Sequence, residues 1–220
     1  MDIKSIVKTD RLYWLGRYLE RVYTTLLLFE KSFDKMIERA AEYEKFCESF
    51  EIPNVYSDAE DFLYRYPFDE NNPDSLRTNL RRAYDNAIEL REEIGSEALA
   101  YVQLTVYAMS RAAESPAPMG EFQKITDNIL AFWGCIDDLI EDENTRNLLK
   151  VGKRVERIDL YGRLHMPKPD LVREIHRLSG RIPRCSIHYR PEVIVRLNEL
   201  ADAAEPDYPT IVYEVDRILG

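Results

Sequence analysis

Between Leu12 and Met36 the apolar residues stand at Leu12, Leu15, Leu19, Val22, Leu26, Phe29, Phe33 and Met36, in alternating steps of three and four. An α-helix brings residues at that spacing onto one stripe, whereas a strand would scatter them over both faces. The stripe runs for about four heptads, so the fold has to be arranged around one long rod. Tyr13, Trp14, Tyr18, Leu27 and Leu28 lie off the stripe, so this helix is apolar on more than one side and is predicted to be central in a bundle. Thr9 offers an N-cap, with Asp10 in the first turn.

Helical spacing continues along the chain. Residues 40–72 are polar and irregular, broken by Pro53 and Pro67, with a short helix predicted near 57–66. Asn72 offers a cap and Pro73 suits a first helical position. A stripe of Leu76, Leu80, Ala83, Ala87, Leu90 and Ile94 follows, and it resumes beyond Gly95 at Leu99, Val102, Val106 and Met109. Gly95 marks a kink or junction. Ile125, Ile129, Phe132, Ile136 and Leu139 form the next stripe. Leu148, Val151, Val155 and Ile158 form another, with Asn144 or Thr145 as its cap and an end before Pro167. Three shorter helices are predicted at about 170–179, 191–203 and 209–219. No stretch shows β alternation. The fold class is all-α, an antiparallel bundle of long helices. Residues 1–166 are read as its core and 167–220 as a C-terminal helical part of the same domain.

Composition narrows the function. With 40 acidic against 30 basic residues, the net charge of −10 argues against a general phosphate-backbone binder, so no nucleic-acid partner is expected. No stretch approaches the roughly 20 apolar residues of a membrane span, and the first residues lack a signal-peptide pattern. A cytoplasmic location follows as the expectation. Cys47, Cys135 and Cys185 are far apart and read as inert packed thiols. His165, His176 and His188 lack Glu-x-x-His spacing; Glu174-Ile175-His176 is one residue short of it. The acids Asp137, Asp138, Glu141 and Asp142 read as a solvated turn rather than a calcium loop. The chain therefore calls for no metal and no cofactor. Arg173, Arg177, Arg181, Arg184 and Arg190 read as ordinary surface charge, with an acidic partner or a nucleotide phosphate as the alternative.

One string occurs twice. Leu15-Gly16-Arg17-Tyr18-Leu19-Glu20-Arg21-Val22 aligns with Val151-Gly152-Lys153-Arg154-Val155-Glu156-Arg157-Ile158 at a constant offset of 136 (157 − 21). This is an internal pseudo-repeat of a Glu-Arg helix. A glycine inside a helix costs about 1 kcal/mol relative to alanine, so two at equivalent points predict close approach of another backbone. Glu20 and Arg21 are adjacent and cannot pair along one helix face. Packing of the two motif helices would instead let Glu20 meet Arg157 and Glu156 meet Arg21, which satisfies four charges between them.

These strings resemble the two signatures of the alpha-E family, a helical bacterial domain named for its Glu-Arg motif. Asn72-Pro73-Asp74-Ser75-Leu76 and the run from Arg81 to Glu97 resemble the family's middle motifs, so the likeness spans about residues 9–165 in order. The chain departs from the pattern in places. The Arg usual seven positions after the motif Glu is Leu27 in the first copy and Arg163 in the second. The acid three further on is Glu30 in the first and Met166 in the second. One Arg of the middle motif is replaced around Tyr84-Asp85, and the part after 166 is shortened.

The resemblance implies a setting: alpha-E domains occur beside or fused to ATP-grasp proteins, with transglutaminase-like proteases as frequent neighbours. It points to a non-catalytic helical partner, or substrate-presenting module, of a separate ATP-grasp amidoligase in peptide modification. The chain itself has no Gly-rich phosphate loop. The alternative is a helical enzyme acting on a peptide or amino-acid-like substrate through an interior Arg/Glu/Asn cluster. Candidate ligand-binding or structural residues are Arg17, Glu20, Arg21, Asp85, Asn86, Arg91, Glu97, Glu156, Arg157, Asp159 and Arg163.

Overall fold

The structure, a computed structural model, describes residues 3–39 and 41–219. Ten α-helices occur among the described residues: α1 Ile3–Glu38, α2 Ala41–Ser49, α3 Ala59–Arg65, α4 Leu76–Glu89, α5 Arg91–Glu114, α6 Met119–Asp138, α7 Glu143–Arg163, α8 Lys168–Ser179, α9 Pro191–Asp202 and α10 Tyr208–Asp216. Short 3-10 turns occur at Tyr66–Phe68 and Ile182–Arg184, and the extended pairing among the described residues is an isolated Tyr189–Leu219 bridge. The all-α class is correct, because each stripe of apolar residues at helical spacing becomes a helix with most of that stripe buried; Leu139, the residue after α6, is instead exposed.

The helix starts differ in instructive ways. Thr9 does not cap α1; the helix begins at Ile3 and Thr9 lies buried within it. Asn72 does not cap α4. Its Oδ1 accepts the Asp74 N–H at 2.9 Å in a local turn, and Ser75 caps the helix by accepting from the Thr78 N–H. Asp142, rather than Asn144 or Thr145, caps α7 by accepting from the Thr145 N–H at 2.8 Å. In each case several small polar side chains compete for the free N–H groups of the first turn. Helix α2 lies in the stretch that reads as irregular; it is short, and its buried Tyr43, Phe46 and Cys47 form too brief a stripe to stand out. Gly95 is a true kink inside α5, at φ 79° and ψ 164°, a conformation L side chains rarely adopt.

The chain divides into two compact units. One comprises residues 1–20 and 141–220, so the segments on either side of Pro167 pack in the same unit. Its core joins Tyr13, Val155, Ile158, Ile175, Leu197 and Val215 with their neighbours on α7 to α10. The other comprises residues 21–140 and is built around aromatic rings. Phe62 and Tyr66 stack at 5.1 Å, Tyr43 stacks on Phe62 at 5.6 Å, and Phe29 meets Phe122 edge-on at 6.1 Å. Such rings contribute area burial plus about 0.5–1.5 kcal/mol per well-oriented pair. No helix among the described residues is long and apolar enough to cross a membrane.

Candidate functional site: a buried Glu-Arg junction

The two motif glycines face each other's helices. A Cβ on Gly16 would lie against the Leu149 carbonyl and 3.1 Å from the Lys153 nitrogen. A Cβ on Gly152 would lie against the Tyr13 carbonyl and 3.2 Å from the Arg17 nitrogen. These contacts are reciprocal: Tyr13 corresponds to Leu149, and Arg17 to Lys153, under the same offset of 136. Backbone meets backbone, so any side chain at either position would hold α1 and α7 apart.

That close approach brings the motif charges together. Glu20 is fully buried and accepts from Arg157 Nε at 2.5 Å. Glu156 is 1% exposed and accepts from Arg17 Nε at 2.6 Å. The Glu20–Arg157 pairing is the one the repeat predicts; Arg17 as a partner of Glu156 is not in that reading. Arg21 belongs to the second unit and lies 3.6 Å from Asp74 there. Arg17 also lies over the Trp14 ring at 4.9 Å, which covers the guanidinium face while its edge holds the carboxylate. Burial works against the charged form of both arginines, yet Glu156 beside Arg17 and Glu20 beside Arg157 raise their pKa values overall.

Asp159 and Arg163 extend the junction along α7. Arg163 Nε donates to the buried Asp159 at 2.8 Å, and its Nη2 lies 3.5 Å from Asp216. Burial, reinforced by Glu156, raises the Asp159 carboxyl pKa. Glu174 of α8 is a member the sequence reading omitted. It is fully buried and receives Arg154 Nη1 at 2.5 Å and Arg177 Nη1 at 2.9 Å, with Arg157 at 3.8 Å. A signal was present: Leu171, Glu174, Ile175 and Leu178 stand at i, i+3, i+4 and i+7, which puts an acid inside an apolar stripe.

The remaining candidates form no buried cluster. Asp85, Arg91 and Glu97 are exposed and Asn86 is half-buried, all in the second unit. Asp85 lines a groove of about 390 Å³ with Glu70, Arg77, Arg81, Tyr84 and Met109. These residues fall on the outer face of α4 and α5 because the Leu76–Ile94 stripe takes the inner one. Among the described residues, no group of three or more His, Cys, Asp or Glu side chains converges as metal ligands would. Burial pushes the Cys47 and Cys185 thiols up to about 11, which keeps them protonated and unreactive near neutrality.

Lys153 is the titratable group of note. It stands where the first motif copy has Arg17. Burial lowers its pKa to about 7, with Arg157, Arg154 and Lys150 adding to the shift and Glu20 opposing it. Between about 7 and the ordinary 10.5 the unfolded chain binds more protons than the folded one, so this lysine makes stability rise with pH across that window. Below about 7 the penalty for burying its charge is fully present. Lys153→Met is therefore expected to raise Tm by at least about 3 °C at pH 6, the equivalent of about 1 kcal/mol in a chain this long. The gain should shrink towards pH 10. Thermal melts of both proteins across that range check this, and a gain independent of pH would remove the assignment.

This is an all-helical protein whose repeated Glu-Arg motif forms a buried ion-pair junction between two helices. The chain belongs to the Alpha-E family, described as a predicted alpha-helical domain with a conserved ER motif, whose model matches residues 8–175. Neither a curated protein nor a solved structure matches the chain.

Proposed function

We propose that the chain is a non-catalytic helical partner that presents a peptide or amino-acid-like substrate to a separate ATP-grasp amidoligase in the bacterial cytoplasm. The observation that carries this reading is the occupation of the motif. Glu20 and Glu156, the acids a catalytic reading needs, each hold a guanidinium inside the fold at 2.5 and 2.6 Å. Groups held in that way organise helices rather than exchange protons with a substrate. Family membership and the resemblance described above supply the ligase setting, in which a transglutaminase-like protease would trim the product.

Lys153 favours a second reading, a helical enzyme acting through the interior cluster. An amine titrating near 7 beside a buried carboxylate is the type of group that general-base chemistry uses. One experiment separates the two. The tagged chain is expressed with a candidate ATP-grasp amidoligase, purified, and assayed with ATP and amino-acid or peptide acceptors. The partner reading expects co-purification and ligation that depends on both proteins. Turnover by this chain alone, abolished by Glu20→Gln in protein that still melts cooperatively, would establish the enzyme reading and end the first.

A further inference from the structure

Within the first unit, α7 and α8 and the 3-10 turn after α8 form a half-open cleft of about 300 Å³ lined by Asn147, Arg154, His176, Arg177, Gly180, Arg181 and Arg184. Among the described residues, the lining contains no apolar side chain. That is unusual for a ligand pocket, which is ordinarily mostly apolar. It is also a strongly basic recess in a chain of net charge −10.

Among the described residues, two carboxylates face these cations. Glu174 holds Arg154 and Arg177 from below. Glu143 lies within electrostatic reach of Arg181 and accepts from Asn147 Nδ2 at 3.4 Å. Arg181 itself donates to the neutral Asn147 Oδ1 at 2.7 Å. Among the described residues, four guanidiniums against two carboxylates leave two positive charges. The buried Nε of Arg154 makes no hydrogen bond in the protein. Arg154, Arg181 and Lys150 all have lowered pKa values, first through burial and then through neighbouring cations. A recess of this kind is relieved by an anion with two charges and several acceptor oxygens, which guanidinium forks bind bidentately. A monocarboxylate would leave one charge unmatched.

We propose that this cleft binds the phosphoryl group of a small polar ligand, with Arg154, Arg181 and Arg184 as its principal donors. The site belongs to the second motif copy alone: Arg154 stands where the first copy has Tyr18. Arg184 sits on the rim, exposed, so its removal leaves the fold intact. The proposal is independent of the ligase partnership.

The test is calorimetric titration of the full chain at low salt with inorganic phosphate, glycerol 3-phosphate and ATP, beside acetate and an acidic peptide. At least one phosphate probe is expected to bind saturably with Kd below about 1 mM, with acetate at least about tenfold weaker. The tightest of the three shows whether the cleft takes free phosphate or the end of an ester, and any order among them supports the assignment. Arg184→Ala and Arg181→Ala are each expected to weaken binding about tenfold or more, as loss of a charged hydrogen bond does. Arg65→Ala in the other unit should have no effect. Absence of saturable phosphate binding overturns the proposal. So does phosphate binding that both cleft variants retain, and so does an acidic peptide or acetate binding as tightly as phosphate.

Discussion

Gly16→Ala is expected to destabilise the protein by about 3 kcal/mol or more, at the upper end of overpacking costs, and Gly152→Ala by a similar amount. The added methyl at either site lies against a carbonyl group of the facing helix, with the carbonyl carbon at 3.0 Å. Backbone cannot rotate away as a side chain can, so relief requires α1 and α7 to separate. Separation lengthens the 2.5 and 2.6 Å ion pairs that the approach creates. In a chain of this length the loss corresponds to roughly 6–12 °C in Tm. Gly134 supplies the control. A Cβ there meets nothing within 4 Å, so Gly134→Ala should be stabilising by up to about 1 kcal/mol through helix propensity. Denaturant melts of the three variants check the contrast. Gly16→Ala and Gly152→Ala behaving like Gly134→Ala would mean that the two helices do not touch through their glycines.

Removing one member of the Glu20–Arg157 pair is the second large effect. Glu20→Ala or Arg157→Ala strands a buried charge and is expected to cost about 3–5 kcal/mol. The double variant should cost less than the sum, with a coupling of about 1–3 kcal/mol. Glu20→Met combined with Arg157→Met should recover much of the stability, because two apolar side chains need no mutual compensation. The cycle is read from the denaturant midpoints at constant slope. Additivity within about 0.5 kcal/mol would show that the two groups are energetically separate despite their 2.5 Å contact. The pair then matters for which helices meet, and in what register, more than for net stability. A pair whose carboxylate is fully buried tolerates few alternative packings.

Parts of the site were legible because repetition exposed them. The doubled Glu-Arg string pointed to Glu20 and Arg157 and to two close-packed glycines, since a glycine inside an apolar helix needs a reason. Arg17 escaped as the holder of Glu156. Both Arg17 and Arg21 lie within reach of the motif face, and their spacing along one helix does not say which leans towards a second helix. Glu174 and Arg154 escaped because their partners lie on different helices, joined by no periodicity. Asp85, Arg91 and Glu97 show the opposite failure. They lie in the run that resembles the family's middle motif, and a motif match does not say which face of the helix its charges take; here they face solvent.

Read along the chain, residue spacing marks out the long helices, most of each buried stripe and the two points where backbones touch, though not α2. Those depend on spacing of three and four along one element and on the absence of a side chain, which are local properties. Which carboxylate holds which guanidinium, and the gathering of four arginines from α7, α8 and the following turn into one recess, emerge only once the helices have packed. Such outcomes rest on the rotation and register of helices far apart in the chain. A few ångströms of shift there exchanges one salt-bridge partner for another without altering any pattern that can be read along the sequence.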